Sequence, residues 1–215
     1  MGTAGTRVDG RIARGEQTRR LVLGRAMEIA SVEGLDALSM GRLASELKLS
    51  KSGVFALFGS KEDLQLATIR AAVAVFTTHV VGPAGELPAG IGRLKHLCDS
   101  WLAYSRERVF PGGCFFYSVS AEYDARAGKV HDALVTARSD WLAYLERTAR
   151  EAREAGELTA DADLPQLVFE LAALLEMANA ESVLHDDVTA YGKAARGILD
   201  RLLRVAVDPS RLSAP

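Results

Sequence analysis

Four side chains between residues 50 and 61 could bind phosphate. Ser50 and Ser52 carry hydroxyls, and Lys51 and Lys61 carry ammonium groups. They surround a short segment whose first backbone N–H groups, if it is helical, are free to meet an anion. Between them stand Gly53 and Ala56, which add almost no bulk. A face built from Ser52, Gly53 and Ala56 can approach another surface closely, with donors at its edges. That combination suits contact with a nucleic-acid duplex more than chemistry on a small substrate.

The elements that must hold these groups can be read from pattern. A first helix is predicted over 17–33, with Val22, Ala26, Ile29 and Ala30 on one face and Gly34 as its stop. Ser39 caps a second helix in which Met40, Leu43, Ala44 and Leu47 share one face. The turn Leu47-Lys48-Leu49 leads to a third helix, capped by Ser50 and ending at Gly59. On a helical wheel Val54 and Phe58 point inward with Leu57 beside them, while Ser52, Gly53 and Ala56 point outward and Phe55 lies on one flank. Ser60 with Asp63 is a capping-box signal for a fourth helix over about 61–81. Two short helices joined by a tight turn form a helix-turn-helix candidate.

The series Leu38-Ser39-Met40, Leu43-Ala44, Leu47-Lys48-Leu49-Ser50-Lys51-Ser52-Gly53-Val54-Phe55-Ala56-Leu57-Phe58-Gly59-Ser60-Lys61-Glu62-Asp63-Leu64 resembles the TetR family of bacterial regulators, firmly over residues 17–70. Gly112-Gly113-Cys114-Phe115-Phe116 is similar to one branch of that family. The resemblance implies that Lys61 grips a phosphate and that Phe55 takes the family's usual tyrosine position, without the hydroxyl. Leu57 stands where His or Tyr is common. Lys48 stands where the turn usually has Gly, so a left-handed backbone there would cost about 1 kcal/mol. The outward face of the third helix has no Arg, Asn or Gln to read bases bidentately. Discrimination is therefore expected from thymine-methyl contacts, Arg42, the N-terminal arm or DNA shape. The expected DNA-contacting set is Arg42, Ser50, Lys51, Ser52, Gly53, Phe55, Ala56, Leu57 and Lys61.

The fold class expected is all-α, about nine helices: a basic arm over 1–15, a DNA-binding domain over 16–62 and a helical effector-binding and dimerisation domain over 63–215. Gly82-Pro83 through Pro88 reads as the main break, followed by helices over about 90–108, 112–124, 128–156, 164–184 and 187–206. Trp101-Leu102-Ala103-Tyr104 recurs as Trp141-Leu142-Ala143-Tyr144. Aromatic residues at helical spacing are usually core. As a group, and by the resemblance, they could line a pocket for a small apolar or aromatic effector; the candidates are Trp101, Tyr104, Phe115, Phe116, Trp141, Tyr144, Phe169 and Met177. The last two helices are apolar on more than one face, which suits burial against both the chain's own core and a second copy. The dimer candidates are Leu167, Leu171, Leu174, Leu175 and Ala178 on one helix, and Tyr191, Ala195, Ile198, Leu199, Leu202 and Leu203 on the other.

Bulk properties agree. The 215 residues are 48% hydrophobic and 25% charged, with a net charge of −2. The first 61 residues hold ten Lys/Arg against six Asp/Glu, a net of +4 that leaves −6 for the remainder. A positive end on an acidic body confines phosphate attraction to one region. Cys98 and Cys114 form no CxxC pair, and the four histidines have no metal-ligand spacing, so no cofactor, metal or disulfide is expected and a reducing cytoplasm fits. No sequence near Cys114 would lower its pKa. The run after Arg19-Arg20 is interrupted by Arg25 and Glu28, and no stretch approaches a membrane span. There is no phosphate-cradling glycine loop, nucleophile elbow or paired metal ligands, which speaks against an enzyme. The expected function is a homodimeric, ligand-responsive regulator, most simply a repressor released from a pseudo-palindromic operator. An activator, or a DNA-organising protein without a ligand, is the alternative.

Overall fold

A computed structural model describes the backbone of residues 5–212 and side chains from residue 13 onward. The helices are α1 (Gly5–Glu33), α2 (Met40–Glu46), α3 (Lys51–Phe58), α4 (Lys61–Phe76), α5 (Gly82–Gly85), α6 (Ile91–Arg106), α7 (Phe115–Tyr123), α8 (Lys129–Glu154), α9 (Leu164–Leu184) and α10 (Thr189–Leu203). The chain stays helical from Lys61 to Gly85, so α4 and α5 form one rod and the described residues hold the expected nine helices.

Serine capping sets the N-terminal pattern. The Ser39 hydroxyl accepts from the Arg42 amide at 3.1 Å, Ser50 from Gly53 at 3.1 Å and Ser60 from Asp63 at 3.0 Å. Each cap satisfies an amide that the first helical turn leaves unpaired, worth about 1 kcal/mol. Val22, Ala26, Ile29, Leu35, Leu43, Val54, Phe58 and Leu64 meet in the core between α1, α2, α3 and α4.

Three features differ from expectation. α1 begins at Gly5, so most of the stretch read as an arm belongs to a helix; residues 1–4 lie outside the described residues. The good helix formers Arg11, Ala13, Arg14, Glu16 and Gln17 extend the helix back across its glycines. Secondly, Gly82-Pro83 does not break the fourth helix. The backbone widens into a π-helical turn over Thr77–Val81, with the Gly82 amide bonding to the Thr77 carbonyl. Pro83 has no N–H, and its ring would press on the carbonyl four residues back, so a looser turn before it relieves the conflict. Thirdly, Lys61–Gly85 is long and apolar enough to cross a membrane by composition. Its apolar face packs on α1, α6 and α8, which makes it the core rod joining the two halves.

In the second half, α9 and α10 lie along each other and both pack on α6, while α8 closes the bundle against α4, α6, α7 and α9. A buried polar network ties this bundle together. Asn179 Oδ1 accepts from the Ser105 hydroxyl and the Cys114 amide, both at 2.8 Å. Tyr191 OH accepts from Ser182 Oγ at 2.7 Å and from Arg108 Nη1 at 3.0 Å.

Candidate nucleic-acid interface and effector cavity

α3 presents the face its sequence requires. Val54 and Phe58 are buried, and Lys51, Ser52, Gly53, Phe55 and Ala56 are exposed. Phe55 leaves 57% of its surface open, a large apolar ring that no described residue covers. Leu57 sits differently: its side chain packs against the core, and its carbonyl accepts from Arg19 at 2.7 Å. One flank of a two-turn helix must rest on the domain beneath, and Leu57 occupies it. Lys48 has φ 55, so the turn keeps the left-handed geometry without glycine.

Arg42 is not free. Its guanidinium grips Glu33 with two bonds of 2.7 Å and Glu46 with one of 2.8 Å. Arg25 bonds Glu46 from the other side at 2.6 Å. Arg42 holds Glu33, and Arg42 with Arg25 holds Glu46, below the usual carboxylate range. This network staples the end of α1 to α2, across the faces that the helix-turn-helix needs held apart. Lys61 likewise donates inward, to the Asp36 carbonyl at 2.6 Å.

The N-terminal domain is gripped by α7. The Glu122 carboxylate accepts from the Leu35 and Asp36 amides at 2.7 and 2.9 Å, capping the short 3-10 turn Leu35–Ala37. Gly34, at φ 87, makes this possible, because a Cβ there would lie 2.6 Å from that carboxylate. Asp36 accepts from Arg126 at 2.6 Å and from Tyr123 OH at 2.9 Å, and Gln65 on α4 donates to the Leu35 carbonyl and to Tyr123 OH, each at 3.0 Å. The Arg126 bond, then the Tyr123 bond, hold the Asp36 carboxyl below its ordinary range; burial, then Asp36, push the Tyr123 phenol up to about 12. Sequence reading missed this joint, because its halves lie some 87 residues apart and share no motif.

The other side of α7 faces a cavity of about 220 Å³. Phe116, Tyr117 and Ser120 of α7 line it, with Phe76, Thr77 and Val81 from α4 and its π turn. Trp101 of α6 and Ala172, Leu175 and Glu176 of α9 form another wall, and Arg138, Asp140, Trp141, Tyr144 and Arg147 of α8 stand around the rest. The two copies of Trp-Leu-Ala-Tyr therefore bring their tryptophans to one space. Of the residues expected in a pocket, Trp101, Phe116, Trp141 and Tyr144 line it. Tyr104 and Phe115 do not: they are buried in the aromatic stack beneath it, Tyr104 at 5.6 Å from Phe76 and Phe115 at 5.3 Å from Phe116. Phe169 and Met177 do not either, being 69% and 58% exposed on the outer face of α9. The cavity also takes in Cys114, whose thiol burial pushes up to about 11.

The same helix explains the dimer candidates. Leu167, Leu171, Leu175, Ala178, Tyr191, Ile198 and Leu202 are buried within their own chain, and Leu174, Ala195 and Leu199 are half-buried against that core. The large apolar side chains left open are Phe169, Met177, Val183 and Leu184 on α9 and Leu203 on α10. A helix apolar all round does not disclose which face turns inward. Packing α9 on α6, α8 and α10 claims Leu167, Leu171 and Leu175 and leaves Phe169 and Met177 outside.

The family model described as bacterial regulatory proteins, tetR family, matches residues 22–68, and that of the tetracyclin repressor-like C-terminal domain matches residues 90–198. No curated protein matches the chain. Among solved structures, it is similar to a TetR transcriptional regulator from Chloroflexus aurantiacus J-10-FL, with TM-score 0.83 and 18% identity over 90% of this chain and 98% of that one. A transcriptional regulator from Saccharomonospora viridis in complex with choline superposes with TM-score 0.76 at 19% identity, covering 90% of this chain and 99% of that one. AibR, in complex with isovaleryl coenzyme A and operator DNA, superposes with TM-score 0.67 at 15% identity, over 89% and 98%. The matched segments span both the helix-turn-helix and the helical body around the cavity, and the chain belongs to the TetR family of bacterial regulators, which are DNA-binding proteins and not enzymes.

Proposed function

We propose that this protein is a dimeric, cytoplasmic repressor that leaves a pseudo-palindromic operator when a small apolar or aromatic effector enters the cavity. The observation that carries this reading is the position of α7: Phe116, Tyr117 and Ser120 line the cavity, and Glu122, Tyr123 and Arg126 just beyond them hold the Leu35–Ala37 turn. An effector that prefers one seating of α7 and the π turn biases the placement of α3 by its differential affinity for the two states. AibR, bound to both a ligand and operator DNA, supports the same assignment by likeness.

On the DNA side, Ser50, Lys51, Ser52 and Lys61 are proposed to hold phosphates, with Gly53, Phe55 and Ala56 in close contact with bases. Arg42 would have to exchange Glu33 and Glu46 for DNA acceptors, so base discrimination falls first to residues 1–15 and DNA shape. The exposed Phe169, Met177, Leu184 and Leu203 are proposed as the centre of a twofold interface, joined by Leu174, Ala195 and Leu199. Two copies of α3 would then meet the duplex about 34–36 Å apart or more.

Selection from random duplex DNA tests the reading. It should enrich an inverted repeat, and removal of residues 1–15 should relax its sequence. Enrichment of no sequence, or of a site without twofold symmetry, refutes it.

A further inference from the structure

We infer that the cavity selects a molecule with a ring-sized apolar body and a hydrogen-bond acceptor, a carbonyl or carboxylate oxygen, seated on the indole N–H of Trp101. This rests on the reading of the cavity as the effector site. Trp101 is 3% exposed and lines the cavity. Among the described residues its Nε1–H donates to no protein atom, yet no unpartnered buried side-chain nitrogen is sealed off. The N–H therefore keeps some open surface, and the cavity is the space that Trp101 lines. An amide-like N–H shut away from water without an acceptor is unfavourable, so a ligand that closes the cavity gains by supplying one.

The other donor groups at the cavity point the same way. Trp141 also lines the cavity with an unpaired N–H, and Arg147 lies over the Tyr144 ring at 4.9 Å with no carboxylate on it. The Thr77, Tyr117, Ser120 and Tyr144 hydroxyls can each donate or accept and favour neither kind of ligand, while the carboxylates and the thiol are committed or remote. Glu176 is taken by Arg138, and Cys114 stays a neutral thiol at neutral pH because burial raises it. Asp140 is exposed. The donor at the buried end is thus the Trp101 N–H, with Trp141 half-buried and Arg147 exposed at the cavity's outer side. A quaternary ammonium would fill the aromatic space but leave the Trp101 N–H unbonded. The volume of about 220 Å³ fits a substituted ring, since a cavity of about 150 Å³ takes benzene.

The chain has two tryptophans, so ¹H–¹⁵N spectra of the full-length protein contain two indole N–H resonances, and Trp141→Phe assigns both. The probes are acetophenone, benzoate, isopropylbenzene and benzyltrimethylammonium. Acetophenone or benzoate should move the Trp101 resonance downfield and bind about tenfold more tightly than isopropylbenzene. Trp101→Phe should erase that preference while isopropylbenzene still binds; the wild-type resonance and probe ranking stand even if this variant does not fold. Equal or tighter binding of isopropylbenzene or benzyltrimethylammonium overturns the inference. So does an unmoved Trp101 resonance with an oxygen-bearing probe bound, or no binding of either at millimolar concentration. The readout contains no DNA, so its failure is separate from failure of the duplex selection.

Discussion

Gly112→Ala should be strongly destabilising, although the same change at Gly24 should stabilise. A Cβ at Gly112 would lie 1.8 Å from the Ser31 carbonyl oxygen and 2.6 Å from its carbon. Both atoms are backbone in the last turns of α1, so neither can swing aside. Real Cβ contacts keep at least 3.0 Å, so the turn must retreat by about 1.2 Å. That retreat breaks the bond from the Gly112 amide to Ser31 Oγ, now 3.2 Å, and pulls on Cys114, held at 2.8 Å by Asn179. Overpacking costs about 1–3 kcal/mol and the lost hydrogen bond about 1 kcal/mol, so about 2–4 kcal/mol is expected. Gly24 lies mid-α1 with nothing within 4 Å of its would-be Cβ, and alanine there should gain about 1 kcal/mol of helix propensity. Urea unfolding of the two variants beside wild type measures both. If Gly112→Ala unfolds at the wild-type midpoint, or the two variants shift in the same direction, the close approach of the 110–114 turn to α1 is not what the structure implies.

Lys48→Gly relieves the left-handed strain of about 1–2 kcal/mol but adds about 0.5–1 kcal/mol of unfolded-chain entropy, so it should stabilise by roughly 0.5–1 kcal/mol. Lys48→Ala should show no such gain; equal midpoints for the two would show that the turn is unstrained. Asp36 titrates low in the folded state, so its contribution is present above its unfolded pKa and disappears as pH falls through the folded value. Asp36→Asn should therefore flatten the loss of stability on acidification below about pH 4, measured as the urea midpoint against pH. An unchanged acid limb would discount the Arg126–Asp36 joint. Met177→Glu places a charge in the exposed apolar stripe of α9 and should convert dimer to monomer by light scattering. A dimer that persists moves the interface elsewhere.

The helices were legible because capping and periodicity are local. Ser39, Ser50 and Ser60 each bond an amide three residues on, so the cap is written in consecutive letters. The exposed face of α3 and the strained turn at Lys48 followed from the same short-range rules. The start of α1 was misjudged because glycines lower helix propensity without forbidding a helix that is already propagating. The Gly82-Pro83 break failed because the backbone had a third option, a wider turn.

The sequence by itself determined an all-α chain, a helix-turn-helix at its positive end and an aromatic-rich body that belongs with the TetR regulators. Tertiary structure alone decided which aromatic residues surround space and which fill it. Trp101 lines the cavity and Tyr104, three residues on, does not, since α6 turns one toward α8 and the other under Phe76. It also decided that Leu167, Leu171 and Leu175 of α9 face inward and that Phe169 and Met177 face out, and it brought Glu122 and Arg126 onto the turn at Asp36. The physical reason is common to all three. Period and caps fix a helix and its apolar faces, but only packing against the other helices assigns each face a neighbour.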